Sequence, residues 1–187
     1  KIDSKKMFKV YDRWPDIAKE SFASDYHEFD IRGIDHIVFV GMGGSGSIGD
    51  VVSAILSKDD IHVSNVKGYH LPKTVDSNSL IIATSISGNT TETLTVLDNA
   101  QKTSAKIAAF SSGGIMKHFC ENNNLFYQEI PMIHSPRASF PKYLFSILNV
   151  FKEVLPIKEV DIKKSINDLG VTKNNIYSKN LNENNVS

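Results

Sequence analysis

An α/β fold is predicted: a doubly wound, five-stranded parallel sheet with helices on both faces. Two features of the sequence carry that expectation. Short β-branched apolar runs recur along the chain, separated by stretches of roughly 10–15 residues with helical spacing, which is the signature of βαβ units. Two of those runs end in loops rich in Gly, Ser and Thr, the loop chemistry found where strands of such a sheet meet a ligand.

The elements follow in order. The first 30 residues read as a polar, helical extension. Within it, Trp14-Pro15-Asp16 marks a helix start, with Pro15 near the first helical position and Ile17, Ala18 and Phe22 on one face. Ile37-Val38-Phe39-Val40 is a buried strand ending at a glycine cluster, and Ile48 to Leu56 has helical spacing. Ile61 to Val66 is a second strand. Leu80 to Ala83 is a third, running through a Ser/Gly/Asn turn into a helix over Thr91 to Lys102. Lys106 to Phe110 and Phe126 to Ile130 complete the sheet. From Phe140 to Leu155 one long helix carries Phe140, Leu144, Ile147, Leu148, Phe151 and Leu155 as an apolar stripe. Core packing is its expected use, with a homodimer contact as the other. After Pro156 the chain turns to Lys, Asn, Ser and Asp and reads as a linker or frayed tail. The expected organisation is therefore an extension over residues 1–30, a catalytic-type domain over 31–155, and a tail over 156–187 leading to a second domain beyond Ser187.

Composition narrows the function. The chain has 187 residues, 41% of them hydrophobic, enough for one domain with a core. With 21 Lys+Arg against 21 Asp+Glu, it lacks the charge of a non-specific nucleic-acid binder, and no apolar run approaches the roughly 20 residues of a membrane span. Its single cysteine, Cys120, excludes an internal disulfide and any CxxC redox or zinc motif, and no metal site is expected. The opening KIDSKKMFKV has no apolar signal core, so a cytoplasmic protein is the expectation.

Two loops carry chemistry. Gly41-Met42-Gly43-Gly44-Ser45-Gly46 lies between a strand and a helix, where glycines bring consecutive amides to an anion and the helix start adds partial positive charge. It also spells the dinucleotide fingerprint, but the second strand ends in Val66-Lys67-Gly68, without the carboxylate a ribose requires. A plain turn for close helix–strand packing is the bland alternative. The second loop, Thr84-Ser85-Ile86-Ser87-Gly88-Asn89-Thr90, presents three hydroxyls suited to a phosphate monoester. Asn89 with Glu92 three residues later reads as a capping box. In a doubly wound sheet the loops after the first and third strands flank the switch point where ligands bind. Ser135-Pro136-Arg137-Ala138 adds an arginine at a helix start. It serves either as a surface residue or as a cation for a substrate oxygen.

At these residues the chain becomes recognisable. Ser85-Ile86-Ser87-Gly88-Asn89-Thr90 with Thr91-Glu92-Thr93 resembles the signature of the SIS (sugar isomerase) domain. With the Gly41–Gly46 loop and Ser135–Ala138 added, the chain resembles the archaeal-type bifunctional phosphoglucose/phosphomannose isomerases from about Trp14 to about Leu155. That resemblance implies a flavodoxin-like sheet and a cofactor-free interconversion of glucose 6-phosphate or mannose 6-phosphate with fructose 6-phosphate through a cis-enediol. It implies that Ser45, Ser85, Ser87 and Thr90 bind the sugar phosphate, that Gly43 and Gly44 lie beside the sugar, and that Arg137 stabilises the enediolate. Family members carry two such domains, and their glutamate base and ring-opening histidine and lysine lie in the second, which has no counterpart here. Glu92, Glu121, Glu129 and His134 are no match for them. This chain is therefore expected to be the phosphate-binding N-terminal half of an isomerase, binding without turnover. The alternatives are a complete single-domain isomerase of hexulose or heptose phosphates, a non-catalytic sugar-phosphate sensor, and a dinucleotide enzyme.

Overall fold

The computed structural model describes residues 3–27, 29, 32–153 and 155–176. The expected boundary at residues 30–31 and the chain from 177 onward lie outside them. The chain divides into two compact units, Tyr26–Met132 and Lys1–Asp25 with Ile133–Ser187.

The second of these is helical. It contains α1 (Phe8–Asp12), α2 (Trp14–Phe22), then a single 3-10 turn at Arg137–Ser139 that leads into α6 (Phe140–Val150) and α7 (Glu159–Ile176). Pro15 and Pro141 sit in the first turns of α2 and α6, where a missing N–H costs nothing and the fixed φ favours helix. α2 buries Ile17, Ala18 and Phe22 and packs on both α6 and α7. Asn149 Nδ2 ties the end of α6 to the Ser24 carbonyl at 2.6 Å. α6 buries Leu144, Ile147 and Leu148 as expected but stops at Val150. Leu155, buried beyond a turn, precedes Pro156, which disfavours helical backbone at that position.

Two expectations change here. The segment after Pro156 is not a loose tail through Ile176: it forms α7, which buries Ile162 and Ile166 one turn apart on the face that meets α2. Two apolar residues in an otherwise polar run are too few to read as an amphipathic stripe, and tertiary contact supplies what propensity lacks. Residues 133–155 likewise group with the N-terminal helices rather than with the sheet unit, because α2 and α6 present matching apolar faces to each other.

The sheet unit runs β1 (His36–Val40), α3 (Gly44–Ile55), β2 (His62–Val66), β3 (Ser79–Ser85), α4 (Thr91–Ala100), β4 (Lys106–Ser111), α5 (Gly114–Asn122) and β5 (Phe126–Glu129). All pairings are parallel, in the order β2-β1-β3-β4-β5. Every residue of β1 and β3 is buried, which explains why both read as unbroken apolar runs rather than alternating ones. One face carries Val38, Val40, Ile81, Ala83, Ile107 and Ala109 against Val96, Leu97 and Ala100 of α4 and Met116 and Cys120 of α5. On the opposite face α3 lies so near β1 that a Cβ on Gly49 would come within 2.6 Å of Phe39 Cβ. Helices therefore cover both faces, as the sequence predicts.

Cys120 is fully buried, and burial pushes its thiol up to about 12. The native protein is expected to be silent toward a chromogenic thiol reagent at pH 8 and to react once unfolded in guanidinium. Equal native and unfolded rates would contradict the burial.

Candidate functional site

The chain leaves β1 toward β2 on one side and reaches β3 on the other, so the order reverses between β1 and β3. The loops after these two strands diverge to opposite faces and open the crevice in which such sheets hold ligands.

The first loop is shaped by Gly43, whose φ of 52° and ψ of −125° place it where a side chain is strained. Gly44 begins α3, and no side chain caps that helix. Met42 O accepts the Ser45 amide at 3.1 Å, and Ser47 N donates to Gly43 O at 3.1 Å. Gly43 and Gly44 are exposed, and Ser45 is half-buried. This edge of the crevice is thus glycine backbone at a helix N-terminus, favourable to an anion. Lys67, at the end of β2, passes its stem over Gly46 and pairs with Asp50 of α3 at 2.5 Å, Nζ to Oδ2.

The second loop is organised by one hydroxyl pair. Ser85 is buried, and its Oγ lies 2.8 Å from Thr90 Oγ1. Thr90 is the residue before α4, with extended backbone, yet its side chain turns to Ser85 instead of capping the helix. Gly88 closes the turn at φ 71°, its amide donating to Ser85 O at 2.9 Å. Ser87 is exposed, and its Oγ accepts the Asn89 amide at 3.3 Å.

The capping box expected at Asn89 and Glu92 does not form. Asn89 Oδ1 accepts the Ile115 amide of α5 at 3.0 Å, and no side chain caps α4. The reason lies in a third loop that the sequence reading passed over. Ser112 donates to Ile86 O from its amide at 3.1 Å and its hydroxyl at 2.6 Å, while the Met116 amide donates to Gly88 O at 2.9 Å. The first-turn amides of α5 are thus satisfied by the second loop, which is held in return. Ser111 closes the third loop, donating to Gly113 O at 2.8 Å. The signal available in the sequence was Gly113-Gly114 directly after a strand, the same punctuation that marks the first loop.

The structure brings Ser85, Ser87 and Thr90 together in one turn, with Gly43, Gly44 and Ser45 in the neighbouring loop of the same unit. Arg137 belongs to the helical unit. It is exposed and opens the 3-10 turn. That turn is pinned by Ser139 Oγ, which donates to Ser135 O at 2.9 Å, and by Trp14 Nε1, which donates to Ala138 O at 3.0 Å. His134 also lies there, at φ 57°, with Nε2 3.2 Å from the Lys5 carbonyl.

Residues 30–127 match the model of the SIS domain. Over 129 residues the chain is 38% identical to a bifunctional phosphoglucose/phosphomannose isomerase of Caldicellulosiruptor bescii, covering 68% of this chain and 38% of that protein. It is 31% identical over 147 residues to a D-glucosamine-6-phosphate 4-epimerase of Sulfolobus acidocaldarius, covering 76% and 46%. The chain thus spans less than half the length of these curated relatives. Among solved structures, the glucosamine-6-phosphate deaminase of Thermotoga maritima superposes with a TM-score of 0.66 at 16% identity, covering 91% of this chain and 55% of that one, a likeness of fold.

Proposed function

Because the chain belongs to the SIS-domain family, we propose that it holds the phosphate of a sugar 6-phosphate between the Gly41–Gly46 and Ser85–Thr90 loops, as the N-terminal half of an aldose–ketose isomerase. The observation that carries this reading is the Ser85–Thr90 turn: a buried hydroxyl locked to a second one, with Ser87 beside them and an uncapped helix start behind. Hydroxyls and first-turn amides are the donors a phosphate dianion accepts, and they need no cation to be selective for it.

In the proposed reaction the open-chain sugar phosphate passes a proton between C2 and C1 through a cis-enediol, glucose 6-phosphate or mannose 6-phosphate giving fructose 6-phosphate. Ser45, Ser85, Ser87 and Thr90 anchor the phosphate, and Gly43 and Gly44 let backbone approach the sugar. The proton-transfer base comes from outside these 187 residues. The proposed protein is a cytoplasmic homodimer. Arg137 is assigned to the developing enediolate, since a guanidinium stays charged and presents a fixed fork of donors. That assignment rests on the resemblance of Ser135-Pro136-Arg137-Ala138 to the bifunctional isomerases. In a turnover assay of the full-length, two-domain enzyme Arg137→Ala is expected to lower kcat by about 100-fold, the scale of losing one oxyanion donor, with KM changing far less. A change confined to thermal stability would return Arg137 to a helix-start role.

Phosphorus NMR of the chain with fructose 6-phosphate and glucose 6-phosphate tests the whole reading. Broadening without interconversion is expected. Interconversion would mean that the chain supplies a base and is a complete single-domain isomerase. A sharp, unshifted resonance at millimolar protein would remove the phosphate assignment.

A further inference from the structure

Arg137 is carried by a turn whose hydrogen-bond series is interrupted by a proline. In a 3-10 turn each amide closes on the carbonyl three residues back: Ser139 N donates to Pro136 O at 3.2 Å, and Phe140 N donates to Arg137 O. The next bond in the series would run from residue 141 to the Ala138 carbonyl, and residue 141 is Pro141, with no N–H to give. Ala138 is fully buried, so its carbonyl has no recourse to bulk water. Trp14, the single tryptophan of the chain, supplies a donor from 124 residues away: its Nε1 donates to Ala138 O at 3.0 Å.

The indole is itself held in place. Trp14 opens α2, which buries Ile17, Ala18 and Phe22 and packs on α6, the helix that continues from the Arg137 turn. The Tyr11 ring meets the indole edge-on, with centroids 4.8 Å apart and planes at 84°. Tyr11 OH and Ser135 Oγ both donate to Met7 Sδ, at 3.9 and 3.6 Å, so the bracket returns to the residues just before Arg137. Ser139 Oγ ties the loop to itself, accepting the Ile133 amide at 2.8 Å and donating to Ser135 O at 2.9 Å. Those internal bonds set the shape of the turn, and Trp14 fixes that shape to α2.

We propose that Trp14 is a positioning residue for Arg137: its indole N–H replaces the donor missing at Pro141 and holds the turn, with the guanidinium it carries, in one orientation. The consequence for turnover rests on the assignment of Arg137 to the enediolate. A fork of donors stabilises developing charge only when it is aimed, and a misplacement of about 1 Å costs up to about 100-fold.

The test is a double-mutant cycle in turnover assays of the full-length, two-domain enzyme. Trp14→Phe keeps a ring beside Tyr11 and loses the N–H. It is expected to lower kcat by about 10-fold, less than the loss of the arginine itself, with KM held. In an Arg137→Ala background the same change is expected to lower kcat no further, since no guanidinium is left to aim. Trp14→Phe combined with Pro141→Ala is expected to regain most of the lost kcat, because residue 141 then has an amide to close on Ala138. Damage spread through the fold would instead lower kcat by the same factor with or without Arg137. That result, a failure of Pro141→Ala to restore turnover, or a Trp14→Phe enzyme with the parent's kcat overturns the proposal. An Arg137→Ala enzyme with the parent's kcat would remove the enediolate assignment and, with it, the role of Trp14 in turnover.

Discussion

Replacing Gly88 with Ala is expected to cost about 3 kcal/mol or more and to remove sugar-phosphate binding together with that stability. Two separate penalties combine. Gly88 sits at φ 71°, where a Cβ alone costs roughly 1–2 kcal/mol. The added Cβ would also come within 2.8 Å of the Gly113 carbonyl carbon and overlap its oxygen, and a backbone carbonyl cannot swing away as a side chain can. Relief requires the second and third loops to separate. Separation would break the Met116-to-Gly88 and Ser112-to-Ile86 hydrogen bonds that hold them. At roughly 2–4 °C per kcal/mol for a chain of this size, the thermal midpoint should fall by about 6–12 °C. A Gly88→Ala protein with an unchanged midpoint and unchanged fructose 6-phosphate affinity would show that the loops do not meet this closely.

The second expected result concerns Thr90 and Ser87, and it rests on their different surroundings. Thr90→Ala removes a phosphate donor and also the partner of the buried Ser85 hydroxyl. Ser87→Ala removes a donor from an exposed position, where the hydroxyl accepts the Asn89 amide. Each should weaken fructose 6-phosphate by about 1–3 kcal/mol, the range for a hydrogen bond to a charged group. That is roughly 5- to 150-fold at 1.36 kcal/mol per tenfold. Thr90→Ala should also lower the midpoint, since an unsatisfied buried hydroxyl costs about 1–3 kcal/mol, whereas Ser87→Ala should leave it in place. Calorimetric binding and thermal unfolding of the two variants side by side decide the matter. Equal affinity to the parent in both would withdraw the turn from phosphate binding.

These expectations draw on residues that were legible in very different degrees. The loop hydroxyls at Ser85, Ser87 and Thr90 could be named from the chain because Ser, Gly and Thr punctuation after an apolar run is a local signal. The role of Asn89 could not. Its spacing to Glu92 is that of a capping box, and only the approach of α5, far along the chain, offers the Ile115 amide that wins the side chain. α7 was hidden for a related reason. Ile162 and Ile166 are too sparse to announce a helix, and the face of α2 on which they pack is more than a hundred residues away.

The strands, their order of appearance and the two ligand loops are properties of the sequence, because period, β-branching and glycine act within a few residues. The clamp between the second and third loops and the grouping of residues 133–176 with α2 belong to the folded molecule. Each depends on which distant segments share a surface, and hydrogen-bond donors and apolar faces take the partners that long-range packing brings within reach.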